Sequence, residues 1–314
     1  MYYIGVDLGG TNIAVGIVTE EGKLIKKRSI PTLRHREYQE ILKDMGELCA
    51  NIVKEEGIPL EEVASVGVGS PGTPDPVNGI LVYANNLKFH NVPIRTELQK
   101  YINVPIYLEN DANCAALGEA VAGAAKGYKN SVTVTLGTGV GGGIIIDGKI
   151  FSGSYYGGAE IGHHVIVADG EQCTCGRKGC WEAYASATAL IREARIAVIR
   201  HPESGVAKLV GGDINLINAK IPFDAAQSGD PVGQELVDQY INYLGIGIAN
   251  MINILQPEIV VIGGGVCAQG DNLLNPLKEV VQKNVYADGT LKTQLRIAEL
   301  GNDAGIIGAA MLGK

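Results

Sequence analysis

Between Glu160 and Glu182 the chain concentrates residues that bind metals and polar ligands. His163 is followed ten positions later by Cys173, then by Cys175 and Cys180, in a Cys-x-Cys-x4-Cys order. One imidazole and three thiolates are enough to close a tetrahedral structural zinc site. Gly176 and Gly179 permit the sharp turns that so short a loop needs. A disulfide scheme fits less well, because three local cysteines leave one unpaired. Cys49, Cys114 and Cys267 lie far apart among apolar residues and read as core or free thiols. The spacing therefore predicts zinc on His163, Cys173, Cys175 and Cys180, with His164 a rival to His163 as the nitrogen ligand. Glu160 and Glu182 bracket the loop. A metal that fixes a loop carrying carboxylates points to a built binding pocket.

A second kind of chemistry sits in the glycine turns. Asp7-Leu8-Gly9-Gly10-Thr11 joins two apolar runs. Glycines let backbone N–H groups approach phosphate oxygens, and Thr11 adds a hydroxyl donor. Asp7 closes a strand, where a carboxylate can hold Mg²⁺ directly or through water. Leu136-Gly137-Thr138-Gly139 followed by Val140-Gly141-Gly142-Gly143 repeats the logic, so two hairpins could grip one polyphosphate from both sides. Gly263-Gly264-Gly265 follows a buried run, the usual place for a ligand at the carboxyl end of a strand. None of the three is a Walker loop or a dinucleotide turn that opens a helix. A plain hairpin explains any one of them taken alone.

The elements that must position these residues alternate in type. Strands are predicted at 3–8, 12–19, 24–30, 63–68, 106–108, 131–136, 144–146 and 258–262, with a glycine-rich turn over 137–143. Helices are predicted at 36–56, 112–122, 182–200, 233–256 and 304–312. The fourth places Val237, Ile241, Leu244, Ile248, Met251 and Leu255 on one face, and Pro257 ends it. This is an α/β pattern. Asp111 opens the second helix and would suit its N-cap.

Bulk properties narrow the class. A chain of 314 residues is long for one core, so two domains are expected. A net charge of -8 speaks against a nucleic-acid or anionic-membrane surface. The first residues lack a basic, then apolar, leader, and no apolar run approaches the ~20 residues of a membrane span. A cytoplasmic protein is expected.

Taken together the motifs resemble the ROK family of sugar kinases, within the actin/hexokinase-like ATPase superfamily. The matches are Asp7-Leu8-Gly9-Gly10-Thr11, Glu109-Asn110-Asp111, the Leu136 to Gly143 loop, Glu160-Ile161-Gly162-His163, Cys173-x-Cys175-Gly176-x-x-Gly179-Cys180-x-Glu182 and Ile262-Gly263-Gly264-Gly265. They follow family order along almost the whole chain. Ser70-Pro71-Gly72 is similar to the loop of bacterial ROK glucokinases in particular.

The resemblance implies a two-domain actin/hexokinase-like (ribonuclease H-like) α/β fold. A smaller domain would span 1–112 and recover 302–314, and a larger one would span 113–301 and carry the zinc loop 160–182. A cleft between them would hold hexose and ATP. The implied reaction is ATP-dependent phosphorylation of the 6-hydroxyl of glucose, with Asp111 as general base. Independently, a hydroxyl attacking a γ-phosphoryl group must lose a proton, and a carboxylate can accept it. Sugar contacts would come from Gly72, Asn85, Asn110, Asp111, Glu160, His163 and Glu182. Carboxylates suit vicinal hydroxyls, because each accepts paired hydrogen bonds. His163 would bind structural zinc through one ring nitrogen and meet the sugar with the other. ATP would lie on Gly9, Gly10, Thr11, Gly137, Thr138, Gly139, Gly264 and Gly265, with Mg²⁺ near Asp7. Family members are commonly dimers or tetramers, so a homodimer or homotetramer is expected.

Other readings share the pattern. The hexose could be N-acetylmannosamine, N-acetylglucosamine, fructose or mannose. A sugar-sensing ROK repressor is a different class, but it would carry an N-terminal helix-turn-helix, whereas here the phosphate hairpin begins at Met1. A cytoskeletal or chaperone-like ATPase of the superfamily lacks the zinc loop.

Overall fold

The computed structural model describes residues 1–286 and 292–314. Its strands are β1 (Tyr2–Leu8), β2 (Asn12–Thr19), β3 (Leu24–Pro31), β4 (Val63–Ser70), β5 (Thr73–Asp75), β6 (Ile80–Ala84), β7 (Phe89–Val92), β8 (Ile106–Asn110), β9 (Ser131–Leu136), β10 (Val140–Ile146), β11 (Lys149–Ile150), β12 (Ile259–Gly263) and β13 (Gln294–Ile297). Its helices are α1 (Tyr38–Glu55), α2 (Ile94–Leu98), α3 (Asp111–Ala122), α4 (Glu182–Ala185), α5 (Ala187–Arg200), α6 (Gly205–Leu209), α7 (Ile221–Gln227), α8 (Pro231–Leu255), α9 (Asp271–Asn284) and α10 (Ala304–Met311). Among the described residues no helix is long and apolar enough to cross a membrane.

Two compact units form. The first comprises 1–133, 143–159 and 299–314, and the second comprises 134–142 and 160–298. In the first, a five-stranded sheet runs in the order β3-β2-β1-β4-β8. β1 pairs antiparallel with β2, and β1, β4 and β8 run parallel. Val, Ile and Leu alternate into both faces of the inner strands, so Ile4, Val6, Ile13, Val15 and Val66 are sealed from solvent. α1 covers one face with Ile41, Met45 and Ile52 at helical spacing. α10 covers the other at backbone-to-backbone range. A Cβ at Gly5 would lie 1.8 Å from the Ile306 carbonyl oxygen, and one at Gly67 would lie 1.7 Å from that of Ala309. α3 joins this unit because α10 packs on it the same way: a Cβ at Gly118 would lie 2.2 Å from the Ala304 oxygen.

A second five-stranded sheet has the order β11-β10-β9-β12-β13, with β12 and β13 parallel. α8 is the main helix of the second unit and buries Leu236, Tyr240, Ile241, Leu244 and Ile248. It starts at Pro231, two residues before the predicted Gly233, because Asp230 caps it by accepting the Gly233 N–H at 2.9 Å.

Two further predicted elements differ from those observed. The single helix expected over 182–200 is broken into α4 and α5. Ser186 is extended there (φ -73°, ψ 159°), and its hydroxyl accepts the Ala189 N–H at 3.0 Å, so it caps a new helix. The glycine-rich turn expected over 137–143 is confined to its first half, because Gly141, Gly142 and Gly143 are strand residues of β10. Gly143 must lack a side chain for a packing reason: its Cβ would lie 2.5 Å from that of Ala116 on α3.

Candidate functional site

Parallel pairing lines up the carboxyl ends of three strands in the first unit. Asp7 on β1 is paired with Gly69 on β4, and Gly69 with Glu109 on β8. Asn110 then ends β8 and Asp111 begins α3. Asn110, not Asp111, is the N-cap: its Oδ1 accepts from Ala112 at 2.9 Å and from Asn113 at 3.3 Å. That frees Asp111 from the capping role its position suggested. Its Oδ1 accepts the Ala112 N–H at 2.9 Å.

The two aspartates are held in an environment that disfavours charge. Burial, then the negative charge of Asp111, raises the Asp7 carboxyl from its ordinary 3.8 to about 6. Burial raises Asp111 as well, partly opposed by its backbone hydrogen bond. No Lys or Arg among the described residues forms an ion pair with either. Buried carboxylates without cations suit a divalent ion or a proton as partner.

This arrangement has a stability signature. The folded state binds the Asp7 proton more tightly than the unfolded chain does. The stability from this group is therefore complete below about pH 4 and is lost as pH rises through about 6. Asp7→Asn is expected to stabilise the metal-free protein at pH 7.5 by up to about 3 kcal/mol and hardly at all at pH 4. Urea melts of both proteins at the two pH values check this.

Neighbouring side chains fix the ends of these strands. Glu109 is buried, and its Oε1 accepts the Asn110 N–H at 2.8 Å and Asn113 Nδ2 at 3.0 Å. Its Oε2 accepts the Ser152 hydroxyl at 2.8 Å. Asn110 Nδ2 donates to the Gly72 carbonyl at 3.3 Å. Gly72 has φ +98°, and a Cβ there would lie 2.0 Å from the Tyr83 oxygen, so only glycine fits. The Gly9-Gly10-Thr11 turn is clamped by buried Thr32, whose hydroxyl donates to Gly9 O at 2.6 Å and whose N–H donates to Thr11 O at 2.8 Å. The Gly9 N–H closes the hairpin onto Asn12 O at 2.9 Å. Asn85 is exposed and accepts from Tyr83 Oη at 3.3 Å; the adjacent Asn86 lies over Gly10. Thr32, Ser152 and Asn86 carry no local motif, and only the long-range pairing reveals them.

In the second unit, one donor atom each from His163, Cys173, Cys175 and Cys180 falls within 4.8 Å of all the others. Cys175 Sγ lies 3.6 Å from Cys180 Sγ, and Cys173 Sγ lies 3.7 Å from His163 Nδ1. Tetrahedral zinc with ordinary bond lengths needs S···S of about 3.8 Å and S···N of about 3.6 Å. The side chains therefore fit the ion, and all three are free thiols. His164 is not in the group. Its Nδ1 hydrogen-bonds the Ile161 carbonyl, its ring packs 5.3 Å from Trp181, and burial lowers its pKa.

The loop is carried on α8 by Trp181. This indole is fully buried, donates to Tyr243 O at 3.0 Å, and occupies the space opened by Gly247, whose Cβ would lie 2.0 Å from it. Glu182 follows at once. Its Oε2 accepts the Val140 N–H at 3.0 Å, and its Oε1 accepts the Thr174 hydroxyl at 3.1 Å. A Cβ at Gly139 would lie 2.1 Å from Oε2. The turn Gly137-Thr138-Gly139 thus abuts Glu182, and the Gly137 N–H is used internally on Gly139 O at 3.0 Å. Glu160 is exposed and precedes the short turn Ile161–His163.

Also in this unit, Gly264 adopts φ +100° and approaches β9 so closely that a Cβ would lie 2.1 Å from Leu136 O. Gly265 after it lines a cavity of about 360 Å³ with Lys220, Asp224, Gln227, Gln269 and Asn272. Lys220 Nζ and Asp224 pair at 2.6 Å on its wall. The α7 side of this cavity has no sequence signature.

Comparison with known proteins accords with the motifs. The model of the ROK family matches residues 3–314. A glucokinase of Thermotoga maritima is 40% identical over 310 residues, covering 98% of this chain and 96% of its own. A ROK family glucokinase from Streptomyces griseus, solved in complex with glucose and AMPPNP, superposes with a TM-score of 0.81 at 35% identity, over 99% of both chains. A ROK hexokinase from Thermus thermophilus superposes with a TM-score of 0.83 at 34% identity, over 99% of this chain and 97% of that one. The chain belongs to the ROK family, and its fold is that of the actin/hexokinase-like ATPases.

Proposed function

We propose that this protein is a glucokinase that transfers the γ-phosphoryl group of ATP to the 6-hydroxyl of glucose. The observation that carries the reading is the buried pair Asp7 and Asp111 at aligned strand ends, in a chain related along its whole length to glucokinases.

Asp111 takes the proton of the attacking hydroxyl. Its raised pKa supports this role, since a base works best when its pKa approaches the working pH. Asn110 and Gly72 line the same strand ends and offer polar groups to the sugar, as does Asn85. Glu160, His163 and Glu182 accept or donate to sugar hydroxyls. Glu182 is pre-aligned by Val140 and Thr174, which lowers the ordering cost of binding. The N–H groups of Gly10, Thr11, Thr138 and Gly139 and the Thr hydroxyls hold phosphate oxygens. Asp7 would hold Mg²⁺, and the ion would supply charge neutralisation on the phosphates. The purine and ribose occupy the cavity beside Gly265. His163, Cys173, Cys175 and Cys180 would hold zinc in a structural role, fixing the loop that carries Glu182.

Gly139→Ala tests the sugar contact. The new methyl displaces Glu182 from Val140, a loss worth about 1.5–3 kcal/mol for a charged hydrogen bond. The KM for glucose is expected to rise about tenfold or more, with kcat less affected. Steady-state kinetics in both substrates check it.

The regiochemistry is tested by coupling the reaction to glucose-6-phosphate dehydrogenase. Stoichiometric NADPH per ADP is expected. ADP release without glucose 6-phosphate would overturn the reading.

A further inference from the structure

Glu119 lies eight residues along α3 from Asp111 and is 1% exposed. A buried carboxylate must be satisfied by hydrogen bonds or a cation. Among the described residues its partners are backbone N–H groups. Oε2 accepts from Ala124 at 2.8 Å and from Glu299 at 3.2 Å, and Oε1 accepts from Leu300 at 2.9 Å. Gly123 makes room for it, since a Cβ there would lie 2.1 Å from Oε2. No step of phosphoryl transfer uses this group.

The backbone it pins leads directly into α10. Ala304, the first residue of α10, presses on Gly118, and Gly308 lies so close to α3 that its Cβ would be 1.6 Å from Cys114 O. Gly305 lies beside Asp7, where a Cβ would be 3.4 Å from Oδ2. One short stretch therefore runs from the Glu119 carboxylate to the neighbourhood of Asp7, along the helix that begins with Asp111.

We propose that Glu119 is a positioning residue for phosphoryl transfer. Its carboxylate anchors residues 299–300 and thereby seats α10 against α3 and Asp7, keeping Asp7 and Asp111 in register. The proposal rests on the reading of Asp7 as the Mg²⁺ residue and Asp111 as the base. A carboxylate is acceptor-only and can take all three N–H groups. A glutamine turns an NH₂ toward one of them and leaves a buried N–H unpaired.

The test compares Glu119→Gln and Gly118→Ala with the unaltered protein. Gly118→Ala displaces α10 from α3 without touching the carboxylate, and it serves if the first variant does not fold. The readouts are kcat, KM for glucose, the Mg²⁺ concentration at half-maximal rate, and amide hydrogen exchange over 299–305. Each variant is expected to lose about tenfold or more in kcat, since small displacements of reacting groups are that costly. The Mg²⁺ requirement is expected to rise about tenfold. The KM for glucose should stay within about twofold. Exchange over 299–305 should quicken. Faster exchange with unchanged kcat and Mg²⁺ requirement would reduce Glu119 to a stability role and overturn the proposal. Unchanged exchange in Glu119→Gln would overturn the anchor itself. The exchange experiment reads the anchor even if the unaltered protein proves inactive on glucose, an outcome that would sink the glucokinase reading separately.

Discussion

Asp111→Asn is expected to yield a folded protein whose turnover of glucose is slower by about 10²–10⁴. The helix does not need this carboxylate, because Asn110 supplies the cap with two accepted N–H bonds. Asparagine is nearly isosteric and keeps an oxygen for the Ala112 N–H, which Asp111 engages at 2.9 Å. It also removes a charge whose burial is costly, so the melting temperature should hold or rise. What it cannot do is accept a proton at neutral pH. Thermal melts together with single-turnover rates check both halves. Near-normal turnover would leave Asp111 with a binding role only.

The second large effect lies in the zinc loop. Purified protein is expected to hold about one zinc per chain, and Cys180→Ala is expected to lose it. Cys180 is fully buried and precedes Trp181, the indole that seats the loop on α8. Without the ion, His163, Cys173 and Cys175 have no metal to hold them in one cluster. The loop then gives up the alignment of Glu182 against Val140. Glucose KM should rise about tenfold or more, while the KM for ATP moves little. Metal analysis by inductively coupled plasma and kinetics in both substrates check this. A zinc-free preparation with Cys173 and Cys180 joined by a disulfide would contradict it.

Much of this site could be read from residue order because its groups are local in the chain. The four zinc-loop side chains span His163 to Cys180, and the hairpin after Asp7 is complete within Tyr2–Thr19. The end of β8 was legible because Asn110-Asp111 follows a short apolar run. The rest depends on partners distant in sequence. Thr32 clamps Gly9 across 23 positions, Ser152 meets Glu109 across 43, and Glu119 reaches Leu300 across 181. Spacing rules cannot register such pairs. The small sheet β5-β6-β7 also escaped, since Pro74, Asp75 and Asn78-Gly79 break its strands into pieces too short for an alternating pattern. The run of glycines ending at Gly143 read as a turn because glycine usually marks one. Its second half is strand, where close packing on α3 rather than chain reversal requires the missing side chain. The break at Ser186 was hidden because serine is tolerated within helices and caps only when its hydroxyl finds the N–H three residues on.

The most direct test is ADP release with Mg²⁺-ATP across a panel of glucose, mannose, fructose, N-acetylglucosamine and N-acetylmannosamine, compared by kcat/KM. The expected result is a strong preference for glucose and negligible release without sugar. Preference for an N-acetyl sugar would keep the phosphoryl chemistry and contradict the substrate. Tight glucose binding with no turnover would contradict the kinase account and favour a sugar-sensing role.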